Sequence, residues 1–146
     1  MGTAQPNPPW NQEAEAAVLG VILRGEANLY EIRRDLIAED FYDSRHRAIY
    51  ATVIELAKRG VGVDLVTVND ALRSGPGSCS VDASDLAGLC EAAPVPSHLS
   101  HYVSIVKRDS GRRKWLQAFE RFVASQNDSQ SNGTGAAVEQ LIQELS

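Results

Sequence analysis

The chain has 146 residues, 43% of them hydrophobic and 23% charged, with a formal net charge of -5. That is the size and balance of one soluble globular domain with a sizeable core, and the acidic surplus argues against a chain whose main business is neutralising phosphates, although a local basic face is still allowed. No apolar run approaches the ~20 residues needed to cross a bilayer, and the N-terminus lacks the charged-then-apolar pattern of a signal peptide. Cys79 and Cys90 have no CxxC spacing, so free thiols in a reducing, cytoplasmic setting are the expectation.

Residues 1–9 hold Pro6, Pro8 and Pro9 among small and polar side chains and read as an extended arm. Trp10 is open to two readings, an indole packed back on the first helix as a staple or one seated in a neighbouring subunit. Asn11 caps the first helix, Glu13 and Glu15 fall in its first turn, and Val18, Leu19, Ile22 and Leu23 form its buried side before Gly25 stops it. A second helix, roughly Asn28 to Ile37, has Leu29, Ile32, Leu36 and Ile37 at helical spacing with Arg33, Arg34 and Asp35 outward.

The most readable stretch runs from Asp40 to Leu72, and the rest of the chain is expected to pack on it. Ile49, Val53 and Leu56, with Tyr50, Ile54 and Ala57 beside them, make the stripe of a core-facing helix; Asp43 and Ser44 cap its start, and Gly60 ends it. Asp64 then caps a short helix, with Thr67 at its third position and Leu65, Val68, Ala71 and Leu72 inward. The run Ser74 to Ser80 alternates glycine and proline and cannot be helical. Asp82 caps the next helix, with Asp85 in its first turn and Leu86, Leu89 and Cys90 on the core side; Pro94 and Pro96 end it.

The long segment from Ser97 to Ser125 changes character halfway. Leu99, Tyr102, Val103, Ile105 and Val106 form a broad apolar face, but Lys107 to Lys114 contains no apolar side chain, so the helix is expected to leave the head there and cross solvent. Gly111, ~1 kcal/mol less favourable than alanine in a helix, makes a bend or a weakened turn an expectation. Trp115, Leu116, Phe119, Phe122 and Val123 resume the stripe. After the polar loop Asn127 to Gly135, Ala137, Val138, Leu141, Ile142 and Leu145 form another, and the parts make a helical hairpin. Arms of ~10 residues are too short to be stable alone in water, so the hairpin calls for another chain.

The pattern D-F-Y-x-x-x-H-x-x-I-Y, Asp40 to Tyr50, followed by A-x-R-G-x-x-V-D-L-V-T-V, Ala57 to Val68, resembles the N-terminal domain of bacterial DnaB-type replicative helicases. Pro8 to Leu23 is similar to that family's opening helix, and Ala92 to Val106 to the start of its long helix. The departures are Gly111, where helix formers usually stand, and Ser84 and Asp85, which this chain offers where the family usually has a glycine pair and an aromatic residue before the next helix. The resemblance implies an all-α fold, a compact head of about six helices over 10–106 and a protruding hairpin over 107–146, with the second arm continuing beyond Ser146 into a linker and a RecA-like motor.

It also implies self-association through the hairpin into dimers and a trimer of dimers within a hexamer, docking of the primase C-terminal domain, and a helicase loader as a further partner. Leu116 and Phe122 match hairpin positions implicated in primase contact; the plainer reading makes them hairpin or dimer core. Asp85, Trp115, Leu116, Phe119, Phe122 and Val123 are the candidate partner-binding residues, and Val138, Leu141, Ile142 and Leu145 the dimer face of the second arm. A loader or replication regulator on a similar helical fold is the alternative.

No phosphate-cradling G-x-x-x-x-G-K-[ST] loop is present, so ATP hydrolysis by that route is not expected of this chain. His98 and His101 lie three apart without a HExxH pattern or a third ligand in sequence reach. His46 reads as a packed first-turn residue, and Glu13 with Glu15, or Asp40 with Asp43, are explained by helix starts. No catalytic residue, metal or cofactor, no membrane contact and no strong nucleic-acid contact are expected of this chain.

Overall fold

The structure, a computed structural model, describes residues 8–75, 80–128 and 134–145. Seven α-helices follow one another among them: α1 Gln12–Leu23, α2 Leu29–Asp35, α3 Ser44–Lys58, α4 Leu65–Ser74, α5 Ala83–Ala92, α6 Leu99–Asp128 and α7 Thr134–Leu145. Single 3-10 turns lie at Ala38–Asp40 and Pro96–His98, and no strand occurs among the described residues. The expected all-α class is the observed one. The chain divides into two compact units, one of Trp10–Ser110 and one holding Pro8, Pro9 and the described residues from Gly111 onward.

The helix starts follow the sequence closely, because each cap is a short polar side chain placed on unpaired amides. Asn11 accepts from the Ala14 amide at 2.9 Å, and Asp43 from the Arg45 amide at 2.8 Å. Asp64 with Thr67 and Asp82 with Asp85 form reciprocal capping boxes on α4 and α5. Burial would raise the Asp43 carboxyl, but the amides of Arg45 and His46 and the charges of those two side chains outweigh it and hold the group below its usual value. Gly25 and Gly60, which end α1 and α3, take φ of 72° and 74°, the left-handed conformation that a side chain disfavours. The second helix is shorter than expected, since Leu36 and Ile37 are already extended.

The centre of the first unit is α1 rather than the stretch from Asp40. Ala17 to Leu23 are buried without a break, so α1 is enclosed all round over its last two turns, while Gln12 and Glu13 in the first turn stay exposed. Its closest approach is to α5: a Cβ on Gly20 would collide with the Leu89 carbonyl oxygen and sit 2.7 Å from the Ala93 Cβ. Around it Phe41, Ile49, Tyr50, Val53, Leu56, Val68, Leu86, Val103 and Val106 complete one apolar core. Phe41 and Tyr50 pack at 4.8 Å between ring centroids, and the Tyr50 hydroxyl donates to the Leu36 carbonyl at 2.9 Å; burial pushes that phenol up to about 12. Trp10 lies against Tyr42 at 5.0 Å, the intrachain arrangement of its two readings.

Two polar clusters sit inside this core. Glu15, fully buried on α1, accepts from the Tyr42 amide at 2.7 Å and the Asp43 amide at 3.3 Å, and its carboxylate lies 2.9 Å from His46 Nδ1. Glu15 is therefore more than a first-turn charge. Asp40, also fully buried, accepts from the Ile37 amide at 2.8 Å and the Ser110 hydroxyl at 2.6 Å, with Lys107 Nζ at 3.7 Å.

Those contacts correct the expectation that Lys107 to Lys114 crosses solvent. Asp109, Ser110 and Arg113 are buried, and Arg113 donates to the Pro9 carbonyl at 3.0 Å. Lys107, Arg108, Gly111, Arg112 and Lys114 stay exposed, so only one side of the segment is covered, and a count of apolar side chains cannot register a side that is buried through polar residues such as Ser110 on the Asp40 carboxylate. Helix α6 runs through Gly111 as regular α-helix. The arm before Pro8 and the loop residues 129–133 fall outside the described residues, as does Cys79.

The Glu15 cluster has a measurable weight. Glu15→Ala removes a buried acceptor and leaves the Tyr42 amide, the Asp43 amide and the His46 ring without it, so urea unfolding is expected to show a loss of about 3 kcal/mol. A loss below ~1 kcal/mol, the scale of an ordinary exposed cap, would show that the cluster contributes no more than helix capping.

Candidate functional site

The second unit is built on the distal part of α6 and on α7. At 3.6 residues per turn, Trp115, Phe119 and Val123 fall on one strip with Leu116 beside it, while Ala118 and Phe122 fall to one side. The structure separates these groups. Trp115, Leu116, Phe119 and Val123 are between 41% and 49% exposed, a continuous apolar strip open to solvent. Trp115 and Phe119 stack with centroids 5.7 Å apart and planes 17° off parallel, and Phe119 continues to Phe122 at 6.5 Å.

Ala118, by contrast, is buried and Phe122 half-buried, and both line a cavity of about 50 Å³ with Leu141 of α7. Arg121 pairs with Glu144 across the two helices at 3.3 Å. The single stripe expected from the sequence thus divides between a helix-pairing side and an open side. On α7, Leu141 is half-buried while Ile142 and Leu145 are exposed; Val138 lies in the helix, and its side chain falls outside the described residues. Ala118 was missed because alanine carries little hydropathy, although its spacing, four before Phe122 and three after Trp115, was there to be read.

Asp85 belongs to the first unit. Its carboxylate accepts from the Asp82 amide at 3.0 Å and lies 3.8 Å from the Arg45 guanidinium, the position of a helix cap rather than of a hairpin residue. His101 packs against Tyr102 with centroids 5.9 Å apart, and no group of three His, Cys, Asp or Glu side chains able to hold a metal occurs among the described residues. The half-buried Cys90 has its thiol pushed up by burial, which disfavours a reactive thiolate. No helix among the described residues is long and apolar enough to cross a membrane.

These features define an all-helical domain whose most conspicuous surface is an aromatic and aliphatic strip on a two-helix hairpin. Residues 7–108 match the sequence model of the DnaB-like helicase N terminal domain, and the chain belongs to that family. Over 111 residues it is 35% identical to the replicative DNA helicase DnaB of Geobacillus stearothermophilus, covering 75% of this chain and 24% of that protein. The chain thus spans about a quarter of that relative's length, 24%.

The fold is similar to the crystal structure of the N-terminal domain of DnaB helicase from Mycobacterium tuberculosis, with a TM-score of 0.81 and 27% identity over 94% of this chain and 97% of that one. It is also similar to a DnaB-like replicative helicase described with its interactions with primase, at a TM-score of 0.77 and 20% identity, over 93% of this chain and 32% of that one. The family model ends at residue 108, and beyond it the likeness rests on the fold and on the replicative DNA helicase DnaB of Treponema pallidum, 32% identical over 127 residues, 85% of this chain and 29% of that protein.

Closure of the hairpin generates a direct test. Ala118→Asp sets a carboxylate into the buried contact with α7, where an unpaired charge is costly. Hydrogen exchange at Gln140 to Leu145 is expected to speed up by an order of magnitude or more, about 1.4 kcal/mol of lost protection. Unchanged exchange would mean that Ala118 does not hold α7.

Proposed function

We propose that this chain is the non-catalytic N-terminal scaffold domain of a replicative DNA helicase, which associates with other copies through its hairpin and offers the assembled surface to primase. The observation that carries the proposal is the open strip of Trp115, Leu116, Phe119 and Val123. Aromatic side chains concentrated on one face are what a protein interface uses as anchors. Family membership supplies the setting, and the primase described with a structural neighbour supplies the partner.

In this proposal Leu116, Phe119 and Val123 carry association with Ile142 and Leu145 of the second arm. Asp85 stands apart as the position nearest a departure from the family. The chain takes no cofactor of its own, works in the cytoplasm, and leaves nucleotide and DNA chemistry to the motor. Ring assembly as a trimer of dimers within a hexamer and contact with a loader are part of the same proposal.

Two variants separate association from docking. Phe119→Asp puts a charge at the centre of the strip and is expected to shift sedimentation toward the smallest species with helicity retained; identical distributions for the two proteins over a wide concentration range would remove the hairpin as the association surface. Trp115→Ala truncates an exposed anchor and is expected to weaken calorimetric binding of the cognate primase C-terminal domain about thirtyfold, ~2 kcal/mol, while Tyr30→Ala on α2 leaves it unchanged. Equal binding by wild type and Trp115→Ala would remove that residue from the docking site. No heat from assembled wild type would favour the loader or regulator reading.

A further inference from the structure

A second surface lies in the first unit, on the groove of about 300 Å³ between α2 and the start of α6. Ile32 and Val103, both buried at its base, and the half-buried Leu99 give it an apolar floor. Glu26, Glu31 and Asp35 stand on its lining, and no lysine or arginine does. The charge is one-sided where the floor is apolar.

Glu31 suits the first turn of α2, but Asp35 and its pairing with Glu31 work against the helix that carries them. Glu31 and Asp35 are four residues apart on α2, the spacing at which like charges repel. Asp35 is the last residue of a seven-residue helix, next to the carbonyl end, where a negative charge is disfavoured. Arg34 lies 3.8 Å from Asp35 and Arg24 3.0 Å from Glu26, both pairs on the exposed surface where neutralisation is weak. A cationic group in the groove would relieve all three carboxylates, and an apolar side chain beside it would cover Leu99 and Val103.

We infer that this groove docks a basic amphipathic segment of a partner protein, one that presents lysine or arginine on either side of an aliphatic anchor. The surface is separate from the hairpin strip and asks for different chemistry, charge-matched rather than wholly apolar. Several partners could then hold one helicase domain at once, one through α6 and α7 and another through α2.

The test uses the full chain and a 12-residue amphipathic peptide of alternating lysine and leucine turns, with one control peptide carrying glutamate for lysine and another carrying serine for leucine. In amide NMR titrations the lysine and leucine peptide is expected to shift Glu26 to Asp35 and Pro96 to Val103, and the two controls to leave them in place. The double variant Glu31→Gln with Asp35→Asn should weaken binding at least tenfold, while Glu55→Gln, which lines a different groove, should not. Its thermal midpoint should hold or rise. Three results would overturn the inference. Equal weakening by Glu55→Gln would mean general attraction to an acidic protein, a fall in the midpoint would assign the carboxylates to the fold, and equal shifts with magnesium chloride alone would make the groove a cation site.

Discussion

The Glu15 carboxylate is the constraint on which the first unit depends. It sits near the start of a helix whose later turns are buried all round, and its oxygens meet the Tyr42 and Asp43 amides and the His46 ring, the turn from which α3 departs. A buried carboxylate must find donors in a fixed geometry, because leaving it unpaired costs several kcal/mol. Apolar packing alone would let α3 slide along α1 with little penalty. One charged side chain therefore sets where the second long helix of the core begins, and with it the direction of everything that packs on α3.

Asp40 does the same for α6. The hydroxyl of Ser110 and the ammonium of Lys107 reach a carboxylate that is itself tied to the Ile37 amide. The two clusters lie close together in the chain, Asp40 two residues before the amide that Glu15 holds, so one short connector receives both α1 and α6. Among the described residues no buried side-chain nitrogen or oxygen is left without a hydrogen bond, which lets polar side chains take part in the core at little loss.

Much of this was legible in the sequence, and the limits have physical causes. Caps at Asn11, Asp43, Asp64 and Asp82 and stops at Gly25 and Gly60 are local chemistry, decided within four or five residues, and the helices start and end where those residues put them. The enclosure of α1 is decided by what surrounds it, and the reading of Val18, Leu19, Ile22 and Leu23 as one buried side leaves Ala17, Gly20 and Val21 out although no polar side chain stands between Ala16 and Leu23. Burial of Ser110 was hidden because its partner, Asp40, lies elsewhere in the chain. On the hairpin, the aromatic run was readable, but its division between α7 and solvent depends on Ala118 facing Leu141, a contact between two helices that no single periodicity contains.

Gly20 carries a consequence beyond its tight fit. With only a hydrogen facing the Leu89 carbonyl, the backbones of α1 and α5 touch directly, and neither helix can be displaced along the other by a turn, since Ala16 or Arg24 would then bring a side chain onto the same oxygen. The pair is keyed like two gears at one tooth. Whatever meets the first turn of α5 therefore meets a surface held at a fixed height above α1, and a force applied at Asp82 or Asp85 is borne by the buried centre of the domain instead of being absorbed by a sliding helix.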